Sequence, residues 1–233
     1  MAGIPWSIIL DPHRLEELSS LNILDTKPEQ SYDDLAAIAR LICGTPVANV
    51  TLVSDDRQWF KSAVGTDVLE TPIEQSVCAH TIGEEDILII NDLTRDVRTS
   101  DNTLVTGDRS LRFYAGVPLR LDGSFAVGTL CVIDTKAHPH GLSFEQVEAL
   151  KALGRQATIL LQVRRFLATT NQTLERDVSI DGTLEEISDA LLKAYRLNKI
   201  YKDGVLENLL FSSLSHIAIG IARSGKSVET VLN

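Results

Sequence analysis

RFYAGVPLRLDGSFAVGTLCVID, residues 112–134, decides the fold. Two apolar runs, 112–121 and 124–134, flank Asp122-Gly123. An Asp-Gly pair tolerates the positive φ of a tight turn, so the stretch predicts an antiparallel hairpin. Upstream, ILIIND at 87–92 reads as a buried strand, and the polar residues 93–111 as a crossing loop with at most one helical turn. Downstream, HPHG at 138–141 is a loop, and Ser143 with Gln146 makes a capping box. The helix it opens carries Val147, Leu150, Leu153, Ala157, Leu160 and Leu161 at a 3.6-residue period, to about Leu167.

Further outward the pattern repeats. VANVTLVS, 47–54, and QWFKSAVG, 58–65, flank the turn Asp55-Asp56-Arg57 and predict a second hairpin. Residues 66–86 are mixed, with Thr71-Pro72 breaking the chain and a short helix near 76–81. Asp11-Pro12 is a helix start, with Leu15 and Leu18 on its apolar side. Residues 22–30 form a turn. A helix then runs over 30–43, with Tyr32, Leu35, Ala39 and Ile42 on one face, and Gly44-Thr45-Pro46 ends it. The order predicts an α+β domain over residues 10–167: a central antiparallel sheet with helices on one face. Residues 168–233 read as a helical extension, with helices near 183–200 and 203–223. The second is apolar on more than one side, which points to a bundle or a second subunit.

The chain has 233 residues, with 22 basic and 32 acidic side chains and a net charge of −10. That balance disfavours nucleic acid and anionic membranes as partners. No run of 18 apolar residues spans a membrane, and the first residues lack the basic region of a signal peptide. Three widely spaced cysteines, Cys43, Cys78 and Cys131, do not make a disulfide framework, so a cytoplasmic location is expected.

Chemical signals are sparse. Gly220–Ser227 fits a phosphate-loop pattern, but it comes after an expected helix instead of a strand, so an incidental match is favoured. Cys78-Ala79-His80 places a thiol two residues from an imidazole. With Cys131 it offers three metal ligands at most, and lining a pocket is the preferred role. The aromatics Trp59, Phe60, Phe113 and Tyr114 lie in two strands, and alternation sends one of each pair to the core and the other to the far face. Lys61, Asp92, Asn102 and Arg112 supply polar groups there, although Asp92 and Arg112 also read as an ion pair tying down the long loop.

Several stretches in order resemble the GAF domain family of bacterial sensor domains: ILDTKPEQSYDDLAAIA, VTLVSDDRQWFKSAVG, SVCAHTI, IINDLTRDVRTSDNTLVTG, LRFYAGVPLR and VGTLCVID. The resemblance covers about residues 10–167. It implies a sheet of about six antiparallel strands, helices from both ends on one face, and a loop-covered cavity on the other. Family members bind cyclic nucleotides, bilins, haem or other small ligands, and the subgroup resembled here often precedes histidine kinase, diguanylate cyclase or PAS modules. The bilin-type Asp-Ile-Pro tripeptide and the cyclic-nucleotide signature are both missing from this sequence.

The expectation is therefore a regulatory sensor without catalysis of its own, acting on a separate effector and pairing as a homodimer through its helices. It would take an unidentified ligand between Trp59, Lys61, Cys78, His80, Asp92, Arg112, Tyr114 and Cys131, with Arg112 and Lys61 favouring an anionic group. No cofactor is assigned. The alternative is the family's free methionine sulfoxide reductase branch, for which Cys78 and Cys131 are the only plausible pair.

Overall fold

The computed structural model describes residues 3–122 and 125–177, with side chains to residue 168. The expected C-terminal helices and the Gly220–Ser227 match lie outside the described residues.

Six strands form one sheet in the order β3-β2-β1-β6-β5-β4, and every neighbouring pair is antiparallel. They are β1 (Val47–Val53), β2 (Arg57–Val64), β3 (Glu70–Pro72), β4 (Leu88–Ile90), β5 (Phe113–Leu119) and β6 (Gly128–Asp134). Three helices, α2 (Pro12–Ser20), α3 (Gln30–Cys43) and α6 (Phe144–Asp177), belong to the layer on one face. Single-turn helices α1 (Trp6–Ile9), α4 (Cys78–Thr81) and α5 (Thr103–Thr106) contribute to a second core on the other.

Local chemistry explains the helix ends. Asp11 caps α2 by accepting from the Arg14 N–H at 2.9 Å, with Pro12 at the first position. Gly44 closes α3 with φ +66°. Ser143 and Gln146 exchange backbone-to-side-chain bonds at 2.9 and 3.3 Å, the reciprocal pairing of a capping box. The buried stripe of α3 is Tyr32, Ala36, Ala39 and Cys43, whereas Ile42 is displaced outward.

Three sequence expectations change. Thr71-Pro72 belongs to an edge strand, where a proline costs no ladder bond because its nitrogen side can face away from the partner. The β5–β6 ladder does not reach Asp122: its last pair is Leu119 opposite Gly128, closed by the Val127 N–H to the Leu119 carbonyl at 3.0 Å, after which the Ala126 N–H bonds the Ile82 carbonyl at 3.0 Å. The last helix also continues past Leu167, to Asp177.

On the helix side the core joins Leu18, Tyr32, Trp59, Phe113, Leu150, Ala157 and Leu161. Lys61 is buried beneath it. β2 bulges there, because Thr51 pairs with Phe60 while Val50 pairs with Ser62, leaving Lys61 as the extra residue. Its ammonium donates to Thr26 Oγ1 at 2.9 Å and to the Lys27 carbonyl at 2.7 Å, and pairs with Glu29 at 2.5 Å. Glu29 also receives Arg164 of α6 at 2.7 Å, and that guanidinium donates to the Leu21 and Asn22 carbonyls. Glu29 thus links the edge of the sheet to the long helix.

Candidate functional site

The face of the sheet opposite α3 and α6 carries an unusual polar pattern. In β1, Asn49 and Thr51 alternate with the core-facing Val50 and Leu52. The β1–β6 register sets Asn49 against Cys131 and Thr51 against Thr129, so four polar or thiol side chains share one patch. Gln58 and Phe60 of β2, and Tyr114 of β5, extend it.

A cavity of about 240 Å³ lies over this patch. Its apolar walls include Phe60, Val77, Leu104, Leu111, Tyr114 and Ile133, and segment 65–68 closes one side. Six uncharged polar residues, Asn49, Gln58, Thr66, Thr71, Gln75 and Thr135, also line it. Gln58 is held by a short hydrogen bond from the Ser76 hydroxyl. Asn49 Oδ1 and Thr71 Oγ1 are buried without a hydrogen-bond partner. An orphaned polar atom in a dry interior costs about 1–3 kcal/mol. At the exposed rim Arg109 lies 3.6 Å from Asp67.

At one end of the cavity stands a thiol cluster. The Cys78 Sγ lies 3.8 Å from the Cys131 Sγ. It also accepts from the Thr129 hydroxyl at 3.1 Å and the Tyr114 hydroxyl at 3.4 Å. Behind these donors stand two further hydroxyls, Thr51 at 3.0 Å from Thr129 and Thr81 at 2.7 Å from Tyr114. Gly116 makes room for this arrangement: a Cβ there would lie 2.2 Å from the Tyr114 hydroxyl. Burial opposes ionisation of Cys78, but hydrogen bonds from Cys131, Thr129, Tyr114 and Thr51 outweigh it and lower its pKa. Cys131 is shifted upward by its bond to Cys78 and by burial.

Of the eight residues expected at the site, Cys78 and Tyr114 line the cavity, and Cys131 meets Cys78 directly. The other five do not line it. Trp59 packs into the helix-side core, so the ring on the cavity is its neighbour Phe60. Lys61, two residues along from Trp59, shares its face and lies on the helix side, near the Tyr32 and Trp59 rings. His80 is half-buried in α4, and burial together with the nearby Arg98 lowers its pKa. Asp92 closes its own turn, accepting from the Thr94 N–H at 3.0 Å and hydroxyl at 2.7 Å. Arg112 donates to the Val105 and Leu111 carbonyls, both at 2.8 Å, so the expected Asp92–Arg112 ion pair is not formed. It does tie the loop down, through carbonyls. With Lys61 and Arg112 elsewhere, the cation facing the cavity is Arg109. Sequence reasoning misses Asn49, Thr71 and Gln75, although Asn49 and Thr51 at alternate positions of an apolar strand are a legible signal. Among the described residues, no group of three or more His, Cys, Asp or Glu side chains is placed to hold a metal ion.

The GAF domain family profile matches residues 27–161. The chain belongs to the GAF domain family. Its six-stranded antiparallel sheet, with a long helix at the end of the domain, is that fold. A curated cyclic di-GMP phosphodiesterase of Pseudomonas aeruginosa is 31% identical over 208 residues, which is 82% of this chain and 35% of that protein. The chain thus spans about a third of the length of the relative it matches. This match overturns the expectation of a protein without catalysis, because the relative is an enzyme. Among solved structures, the chromophore-binding domain of a bacteriophytochrome from R. palustris superposes with a TM-score of 0.50 at 12% identity, covering 66% of this chain and 62% of that one. The blue-light-absorbing form of the Thermosynechococcus elongatus PixJ GAF domain gives 0.49 at 15% identity, covering 73% and 99%. At such identities the likeness concerns the fold alone. No helix among the described residues is long and apolar enough to cross a membrane.

Proposed function

We propose that this GAF domain senses a compact, uncharged polar metabolite in the cavity beside Cys78, and that occupancy governs turnover of cyclic di-GMP. The observation that carries the first half is the orphaned Oδ1 of Asn49, a residue of the cavity wall. At about 240 Å³ the space is smaller than the roughly 300–1,000 Å³ of drug-sized sites. It suits a small metabolite and not a cyclic dinucleotide, so cyclic di-GMP belongs to the output. The named activity of the Pseudomonas aeruginosa relative supports that output.

Asn49→Leu tests the reading. The side chains are close in volume, and the change removes the unpartnered polar group. Thermal stability is expected to hold or rise by about 1 kcal/mol, while ligand affinity falls at least about tenfold. Native mass spectrometry of wild type purified from cells is expected to show an added mass of a few hundred daltons that Asn49→Leu lacks. Bare wild-type protein, or equal loading of both, would refute the ligand site. Chromatographic assay of cyclic di-GMP breakdown by the two proteins tests the coupling, and equal rates would refute it.

We also propose that the chain pairs with a second copy through the helix layer. Leu41 at 81%, Phe144 at 76% and Leu167 at 55% exposure support this. Light scattering on the full chain is expected to give twice 25.6 kDa; the monomer mass would overturn it.

A further inference from the structure

We propose that Cys78 and Cys131 are a peroxide-reactive dithiol that closes to a disulfide, giving this domain a redox input separate from its metabolite. This inference uses the thiol cluster alone and needs no bound ligand.

The two cysteines are not equivalent. Cys78 is among the residues lining the cavity, at 1% exposure, and a small hydroperoxide would approach it by entering past Asp67 and Arg109. Cys131, in the middle of β6, is fully buried and is not part of the wall. Access therefore assigns Cys78 as the attacking thiol and Cys131 as the resolving one. The donors point the same way. Thr129 and Tyr114 both direct a hydrogen toward the Cys78 Sγ, with the Cys131 sulfur 3.8 Å away, an arrangement that favours negative charge on the Cys78 sulfur. The Thr51 and Thr81 hydroxyls stand behind, hydrogen-bonded with Thr129 at 3.0 Å and Tyr114 at 2.7 Å.

The chemistry balances with a hydroperoxide as the oxidant. The Cys78 thiolate attacks the terminal peroxide oxygen. An S–O bond forms, the O–O bond breaks, and the alcohol leaves with a proton. Sulfur has lost two electrons to the peroxide and is now a sulfenic acid. The Cys131 sulfur then attacks Cys78. An S–S bond forms, the S–O bond breaks, and the departing hydroxide takes the Cys131 proton as water. The net change is two thiols and one hydroperoxide to one disulfide, one alcohol and one water.

Closure requires the sulfurs to approach from 3.8 Å to about 2.05 Å. Cys131 is fixed in the sheet, so the one-turn helix α4 must move toward it. The Ala79 N–H in α4 bonds Ser76 Oγ at 3.0 Å, and Ser76 holds Gln58 on the cavity wall. Oxidation would thus reshape the cavity from its floor.

The test uses the reduced full chain and hydrogen peroxide. Peptide mass mapping is expected to find an intrachain Cys78–Cys131 link, with Cys43 still free. Cys43 is a built-in control: it belongs to the helix-side core and does not line the cavity, and burial raises its pKa to about 11. In Cys131→Ser the reaction should stop at a Cys78 sulfenic acid, captured by dimedone. In Cys78→Ser, peroxide consumption should slow at least about tenfold. Oxidation of Cys43 as fast as Cys78, a link between two chains, or Cys78 oxidised with Cys131 left free would each overturn the proposal. The wild-type map alone decides if a serine variant fails to fold.

Discussion

Gly65→Ala is expected to destabilise the domain by roughly 3–5 kcal/mol. Two costs add at this position. Gly65 has φ +83°, a conformation L side chains rarely adopt. A Cβ there would also sit 2.0 Å from the Pro46 carbonyl oxygen, a backbone atom that cannot swing aside. Gly65 ends β2 and begins the segment that closes the cavity, so relief of the clash would displace that wall as well. Gly44 separates the two costs. Its φ is +66°, but a Cβ added there would meet nothing within 4 Å, so Gly44→Ala should cost only about 1 kcal/mol. Thermal unfolding of both variants beside wild type checks this. Equal losses would show that the Pro46 contact relaxes freely.

The second large effect is expected at Arg14, the largest fully buried side chain. Its guanidinium donates to the Ile8 carbonyl at 3.0 Å, to the Val53 carbonyl at 2.6 Å, and by a short bond to the Ile9 carbonyl. One planar group thus serves the last two residues of α1 and the end of β1. Arg14→Met keeps much of the volume and leaves three carbonyls without that donor. A loss of roughly 3–4 kcal/mol is expected, since each buried orphan costs about 1–3 kcal/mol and part is recovered by relaxation. Arg14→Lys should rescue only a fraction, because one ammonium cannot span three divergent acceptors. Urea unfolding checks both: the midpoint should fall while the slope stays unchanged. A loss below about 1 kcal/mol for Arg14→Met would show that the carbonyls find other donors.

The order of the main elements is legible because each rests on neighbours in sequence. Asp11 and Pro12 start a helix together, and Ser143 and Gln146 complete each other three residues apart. The strand content of 47–54, 58–65 and 112–134 shows in β-branched residues that suit a pleated surface. Edges are less legible. A three-residue strand such as Glu70–Pro72 has no period to detect. The β5–β6 ladder ends at Leu119 and Gly128, and the Ala126 N–H bonds the Ile82 carbonyl, a partner far away in the chain.

Local residue patterns were enough for the fold family, the strand pairs and the helix caps, and they named Cys78, Tyr114 and Cys131, which the structure brings into contact. Tertiary structure was needed to decide which face each strand residue serves. Side chains alternate with a period of two, so one bulge at Lys61 reverses the facing of the remaining β2 residues relative to the partner strand, and no local residue announces it. The same holds for the meeting of Cys78 with Cys131, 53 positions apart. Their contact depends on β6 lying beside β1 and on α4 settling over both, an arrangement set by long-range register and burial and not by the chemistry of either segment.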